Sequence, residues 1–285
     1  MGAQVELLIL GLGWTGTYVA DECRKDNVSF AGTTRDGRNG SIAFAFDPLS
    51  TDPTPFAVLP PATTVLITFP LLSEIAAERL TRFYAETHGG AGKTRWILLG
   101  STGNYGPIGT SGGPWCDRHS PLINLADRNK GEARILELYP QSATVLHLAG
   151  LYDEKTRNPR NFIARIAGTK AAVAERKSVH YIHGVDVARA VIAVHRNWRS
   201  GEARWIITNM RVYDWWDFLG SAVPTGWVAK EGVGEDQPVH WVWVLELMKE
   251  QGVKALPRSA EELGKGISSR EFWETFRILP KYTQL

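Results

Sequence analysis

The glycines of Gly11-Leu12-Gly13-Trp14-Thr15-Gly16 stand between the apolar run Val5-Glu6-Leu7-Leu8-Ile9-Leu10 and a segment, 17–24, with helical spacing. A strand, a glycine-rich turn and a helix in that order bind phosphate. The first glycine permits the tight turn, the second lets the backbone approach a pyrophosphate, and the third lets helix and strand pack closely. The helix N-terminus adds N–H groups and a positive dipole. A dinucleotide is therefore the first ligand expected, with Gly11, Gly13, Trp14, Thr15 and Gly16 as its cradle.

The end of the next strand bears on which dinucleotide. Sites for NAD place an acidic residue roughly 20 positions beyond the glycines to bond the ribose 2′-hydroxyl. Here the segment reads Gly32-Thr33-Thr34-Arg35-Asp36. The tip carries no acid, and Arg35 with the two threonine hydroxyls suits a 2′-phosphate, which favours NADP over NAD even with Asp36 next in line. Asp47, in Ala45-Phe46-Asp47-Pro48, is expected near the adenine or in a simple turn.

Other chemistry is excluded or weak. No His-Glu-x-x-His or paired Cys/His spacing occurs, so no catalytic metal is expected. Gly109-Thr110-Ser111-Gly112-Gly113 fits the Gly-x-Ser-x-Gly hydrolase pattern, but it lies between Pro107 and Pro114 in what reads as a loop, where a nucleophile elbow needs a strand-to-helix turn.

The elements that must position these residues alternate. Strand-like runs fall at 5–10, 28–33, 65–69, 96–100, 144–148 and 205–208, with helix-like segments at 17–24, 73–88 and 130–138. This order predicts an α/β fold: a Rossmann-type doubly wound parallel sheet with a smaller C-terminal substrate lobe. The expected division is a dinucleotide domain over 1–170, which also receives strands from about 180–210, and a lobe made mostly of 171–285. Six of the eleven tryptophans lie from Trp205 to Trp243; they suit lobe packing, or an aromatic wall for substrate or partner.

Composition agrees with a globular enzyme-sized chain. Its 285 residues are 44% hydrophobic, and 32 basic against 30 acidic residues form no long single-sign block. Neither nucleic acid nor a membrane is expected as partner; a small-molecule substrate is. Two isolated cysteines and an N-terminal run too short for a leader point to the cytoplasm, and no apolar run approaches the roughly 20 residues of a membrane span. The sequence sets neither the substrate nor the oligomeric state.

With these residues in place, the chain resembles the extended short-chain dehydrogenase/reductase superfamily, in its atypical branch similar to NAD-dependent epimerases and dehydratases. Four segments carry the resemblance: Gly11 to Gly16; Leu98-Leu99-Gly100-Ser101-Thr102-Gly103-Asn104-Tyr105-Gly106; Tyr181-Ile182-His183-Gly184-Val185-Asp186-Val187-Ala188-Arg189-Ala190; and, more loosely, Gly264-Lys265-Gly266-Ile267-Ser268-Ser269 with Pro280-Lys281-Tyr282. The resemblance implies an oxidoreductase or epimerase-like enzyme on a carbonyl or hydroxyl carbon. Ser101 then orients substrate, Lys130 holds the nicotinamide ribose, and Thr68 joins the cofactor residues. In the family a tyrosine four residues before that lysine moves the proton; here the position holds Ala126. Tyr105, Tyr152, Asp127 and His147 are the substitutes considered, Tyr105 first. The alternative is a non-catalytic NADP(H)-binding or redox-sensing protein. His183 and Asp186 are expected to fix a loop near the lobe.

Overall fold

The computed structural model describes residues 3–89, 94–106, 113–123, 127–221 and 239–285. In chain order the elements are β1 (Val5–Leu10), α1 (Trp14–Lys25), β2 (Phe30–Thr34), β3 (Ile42–Ala43), β4 (Ala62–Ile67), α2 (Glu74–Thr87), β5 (Arg95–Ser101), β6 (Trp115–Cys116), α3 (Asp127–Leu138), β7 (Ala143–Leu148) and β8 (Gly150–Tyr152). There follow α4 (Ile163–Ile166), α5 (Lys170–Ala174), β9 (Ser178–Val179), β10 (Tyr181–His183), α6 (Gly184–Arg196), β11 (Arg204–Ile207), β12 (Tyr213–Asp214), α7 (Trp215–Ser221), α8 (Val239–Gln251), α9 (Ala260–Leu263), β13 (Gly266–Ile267) and α10 (Arg270–Phe276).

Seven strands form one parallel sheet in the order β11-β7-β5-β4-β1-β2-β3. This is the doubly wound α/β arrangement expected from the sequence, and its order reverses between β1 and β4, where such sheets bind ligands. Alternate residues of each central strand serve opposite cores. Leu7, Ile9, Leu66, Ile97, Leu99 and Leu146 face the cluster that includes residues of α1, α6 and α10, while Leu8, Leu10, Val65, Ile67, Leu98 and Val145 face that of α2 and α3. Continuous apolar runs such as Leu7–Leu10 therefore follow from burial on both faces, each buried Leu, Ile or Val contributing about 1.5–3 kcal/mol.

The expected strands and helices are all present, with ends moved by a few residues. Helix α6, outside the three helices expected, packs on α1. Its run Ala190-Val191-Ile192-Ala193-Val194 is as apolar and β-branched as a strand, so its pattern alone does not separate the two; burial of the whole run against α1 does. The third core, from α4, α5, α7 and α8, holds Trp215, Trp216 and Phe218, with Trp241 and Trp243 packed against it. Trp216 is fully buried, its indole N–H donating to Val173 O at 2.8 Å. These tryptophans pack together in this third core. Trp205 instead meets Phe272 and Phe276 of α10 in the sheet's own core. Among the described residues no helix is long and apolar enough to cross a membrane.

Candidate functional site

The glycine turn is tied from both flanking strands. Gly11 has φ +102°, and a Cβ there would stand 2.5 Å from Thr68 Oγ1. Its N–H donates to Thr33 Oγ1 at 3.0 Å, the Leu12 N–H donates to Thr33 O at 2.7 Å, and the Thr68 hydroxyl lies 2.8 Å from Gly11 O. A Cβ on Gly16 would strike the carbonyl oxygen of Gly11, so the third glycine permits the close packing of helix on turn. Gly13 is different: a Cβ there would meet nothing within 4 Å. No side chain caps α1 and its first turn carries no acid. The first intrahelical bond is Thr17 N–H to Gly13 O, which leaves the amides ahead of it directed out of the helix end. Open space over Gly13, free amides and the helix dipole together make an anion cradle.

A cleft of about 790 Å³ runs from this turn past the end of β2 to Phe46 and Phe69. Thr34 and Arg35 line it, and so does Arg38, three residues further on. Thr33 is buried with its hydroxyl engaged by Gly11, and the Thr34 hydroxyl lies 2.7 Å from Ser41 Oγ, so both hydroxyls expected at a 2′-phosphate have partners within the chain. Asp36 does not reach across the cleft: its carboxylate accepts from the Thr34 hydroxyl at 3.0 Å and lies 3.5 Å from Arg38 Nη1. The Thr34 bond holds its pKa below the usual carboxylate range. Arg35 makes no hydrogen bond or ion pair with any described residue. Phe46 and Phe69, which line the cleft, stack with centroids 6.3 Å apart. Asp47 holds a turn beside it, accepting the Leu49 N–H at 2.8 Å.

The residues expected to do chemistry are separated. Ser101 ends β5, half-buried, its Oγ accepting the Gly103 N–H at 3.2 Å. Lys130 lies on α3 with its side chain 57% exposed and its ammonium 2.9 Å from Asp127 Oδ1. Tyr105 is only 1% exposed. Its hydroxyl lies 2.8 Å from His147 Nδ1, the Nε2 of that ring lies 2.9 Å from Glu132 Oε2, and Asn104 donates to the same carboxylate at 3.1 Å. With Nε2–H donating to Glu132, Nδ1 is the acceptor for the phenol. Burial raises the Tyr105 pKa. Tyr105 is thus held in an interior hydrogen-bond network, which argues against the expectation that it stands in for the missing tyrosine. His147 is wholly buried in the same network, and Tyr152 is 3% exposed with its hydroxyl donating to Gln284 O at 3.2 Å. Ala126 and residues 109–112 of the Gly-x-Ser-x-Gly segment lie outside the described residues.

His183 and Asp186 act on the backbone. His183 caps α6, its Nδ1 accepting the Val185 N–H at 3.1 Å, so Nε2 carries the proton and donates to Glu154 at 3.2 Å. Its ring stacks on Tyr282 at 3.7 Å. Asp186, fully buried, accepts the N–H groups of Lys281 and Tyr282 at 2.7 and 2.8 Å. Four residues in or around these elements escape a sequence reading: Arg38, Glu132, Asp153, which accepts from the Trp14 indole, and Lys265, which donates to the Tyr105 carbonyl. Arg38 had a signal in its spacing from Arg35; Asp153 gathers the amides of its own loop and also Trp14 and Tyr18 far back in the chain, while Glu132 and Lys265 meet partners on other elements.

Sheet order and glycine turn define a doubly wound, Rossmann-type α/β fold. No family model and no curated protein sequence matches the chain. Among solved structures it is similar to vestitone reductase from alfalfa (Medicago sativa), at TM-score 0.64 and 16% identity over 98% of this chain and 94% of that one. UDP-N-acetylglucosamine 4-epimerase from Bacillus cereus superposes at 0.61 with 12% identity, over 98% and 94%. A dTDP-glucose 4,6-dehydratase from Bacillus anthracis, in complex with NAD, superposes at 0.58 with 11% identity, over 98% and 92%.

Proposed function

We propose that this chain binds NADP(H) across the carboxyl edge of its sheet and transfers hydride at a carbonyl or hydroxyl carbon of a small substrate. The cradle supports a dinucleotide: Gly13 is open where a pyrophosphate would approach, and the α1 amides have no competing cap. Arg35 carries the choice of NADP. It lines the cleft with no hydrogen bond or ion pair among the described residues, while Asp36, the residue that would favour a bare ribose, is occupied by Thr34 and Arg38. The bound dinucleotide supplies the hydride. Ser101 positions the substrate oxygen, and Lys130 holds the nicotinamide ribose once its ammonium leaves Asp127. The solved relatives include a reductase, an epimerase and a dehydratase, which agrees with carbonyl chemistry.

Titration of NADPH and NADH against tryptophan fluorescence tests this reading. NADPH is expected to bind at least tenfold tighter, and Arg35→Ala to weaken NADPH by about tenfold to a hundredfold, the equivalent of one charge-assisted contact, while leaving NADH unchanged. Tighter binding of NADH would overturn the role of Arg35. A second reading, a non-catalytic NADP(H)-binding protein, is favoured by the burial of Tyr105, Tyr152 and His147. Turnover of any carbonyl compound by the unmodified chain excludes it.

A further inference from the structure

A chain with this site needs a proton source beside Ser101, and the four candidates named from the sequence do not provide one. Tyr105, Tyr152 and His147 are interior, and Asp127 is paired with Lys130 on an exposed helix face. We propose that Lys265 gives the proton to the substrate carbonyl oxygen during reduction and takes it back in the reverse direction. This rests on the reading of the chain as an NADP(H)-dependent oxidoreductase.

Placement is the first argument. A pyrophosphate is the midpoint of a dinucleotide, and here it belongs at the glycine turn after β1. The adenosine side runs toward β2, where Arg35 and Phe46 line the cleft. The other nucleoside must run the opposite way in the sheet order, over β4 to β5, two strand spacings of about 4.8 Å each. Ser101 ends β5, and the tight turn that follows closes with Tyr105 N–H on Thr102 O at 3.2 Å. Lys265 reaches this turn: its ammonium donates to the carbonyl oxygen of Tyr105. The lysine is held there because β13, which begins at the next residue, pairs in parallel with β6, Gly266 opposite Trp115 and Ile267 opposite Cys116.

The surroundings are the second argument. Lys265 is half-buried and has no carboxylate within ion-pair distance among the described residues. An ammonium has three N–H donors, so the bond to Tyr105 leaves two. The groups around it are the Cys116 thiol on β6, His180 ahead of β10, and Lys177, near Gly264. The thiol is bonded to Gly106 O at 3.2 Å, and His180 is kept neutral by burial and by the Lys265 charge itself. Burial lowers the Lys265 pKa, with a smaller opposing effect from Cys116. A lysine so placed is a better proton donor than one in water.

The balance is simple. The carbonyl carbon gains a C–H bond from the hydride of the reduced nicotinamide, the C=O π pair moves to oxygen, and that oxygen takes H⁺ from Nζ. Lys265 is left as a neutral amine and recovers its proton from water.

The test begins without a substrate. Lysines of the full chain are reductively methylated with ¹³C, the Lys265 resonance is assigned with Lys265→Arg, and its titration is followed by NMR in the NADPH and NADP⁺ complexes. Only the oxidised ring carries a positive charge, so Lys265 is expected to titrate about half a unit or more lower with NADP⁺. Equal titration in the two complexes overturns the proposal and leaves the cofactor reading standing. Failure of either nucleotide to bind overturns both. In a panel of aldehydes and ketones followed by NADPH consumption, Lys265→Met and Lys265→Arg are expected to lose at least a hundredfold in turnover with unchanged NADPH affinity. The arginine variant retains a donor for Tyr105 O and so controls for folding. Turnover surviving in either variant overturns the proposal.

Discussion

The indole N–H of Trp14 donates to Oδ2 of Asp153, 139 residues away, at 2.9 Å. Tyr18 of the same helix donates its hydroxyl to that oxygen at 3.0 Å, and the N–H groups of Lys155 and Arg157 reach Oδ1 at 3.0 and 2.7 Å. Asp153 is 4% exposed; its burial would raise the pKa, but the surrounding donors outweigh it and hold the carboxyl well below the usual range. Arg157, with its guanidinium carbon 4.5 Å from the Trp14 ring centroid, completes the contact. The loop after β8 therefore braces the glycine turn through a side chain whose position in the motif was read only for its backbone.

Asp153→Asn keeps the volume and removes the charge, and its amide N–H₂ must face N–H donors. Hydrogen bonds to a charged group contribute about 1.5–3 kcal/mol each, so urea unfolding is expected to show a loss of about 3 kcal/mol. A loss under 1 kcal/mol would mean that the loop relaxes without this carboxylate. NADPH affinity should fall as well, because Trp14 stands at the start of α1.

Gly13 and Gly16 separate binding from folding. Gly13→Ala adds a methyl to open space, and Gly16→Ala drives one into the Gly11 carbonyl. The first variant is expected to keep its melting temperature and lose NADPH affinity; the second is expected to lose about 1–3 kcal/mol of stability. Equal NADPH binding by Gly13→Ala and the parent chain would remove the pyrophosphate from this turn.

The sheet was legible because parallel strands buried on both faces leave continuous apolar runs, and the cradle because glycine spacing is local. Helix α6 was not, since its β-branched run fits two periods. Chemistry was read less well than binding. Tyr105 looked available because Tyr-Gly follows Ser101 by a few residues, yet its environment is set by His147 and Glu132, on β7 and α3. Lys265 had a place in a loosely matching segment, but its contact with Tyr105, 160 residues back, exists only once β13 pairs with β6.

Tyr105→Phe removes the hydroxyl and leaves His147 Nδ1 without its donor in a fully buried position. A buried group left unpaired costs about 1–3 kcal/mol, and that loss is expected in chemical unfolding with NADPH affinity unchanged. A variant of parental stability that has lost a hundredfold in turnover would return Tyr105 to the chemistry.

His180 makes stability depend on pH. Its Nε2 accepts the Ile267 N–H at 3.0 Å, so protonation would set one N–H against another. Burial, with a smaller contribution from the Lys265 charge, lowers its pKa from 6.5 to about 4. Between those values the unfolded chain binds a proton that the folded chain does not, so stability rises with pH across the window. The contribution is complete above pH 6.5 and is lost as pH falls toward 4, at most about 3 kcal/mol. His180→Gln retains an acceptor and cannot titrate. Urea unfolding of parent and variant at pH 7 and pH 4.5 gives the difference directly, since His195 and His240, whose pKa values burial also lowers, are common to both. The parent is expected to lose about 2–3 kcal/mol more than the variant between the two conditions. Equal losses would show that His180 takes up its proton in the folded state, with Ile267 released from it.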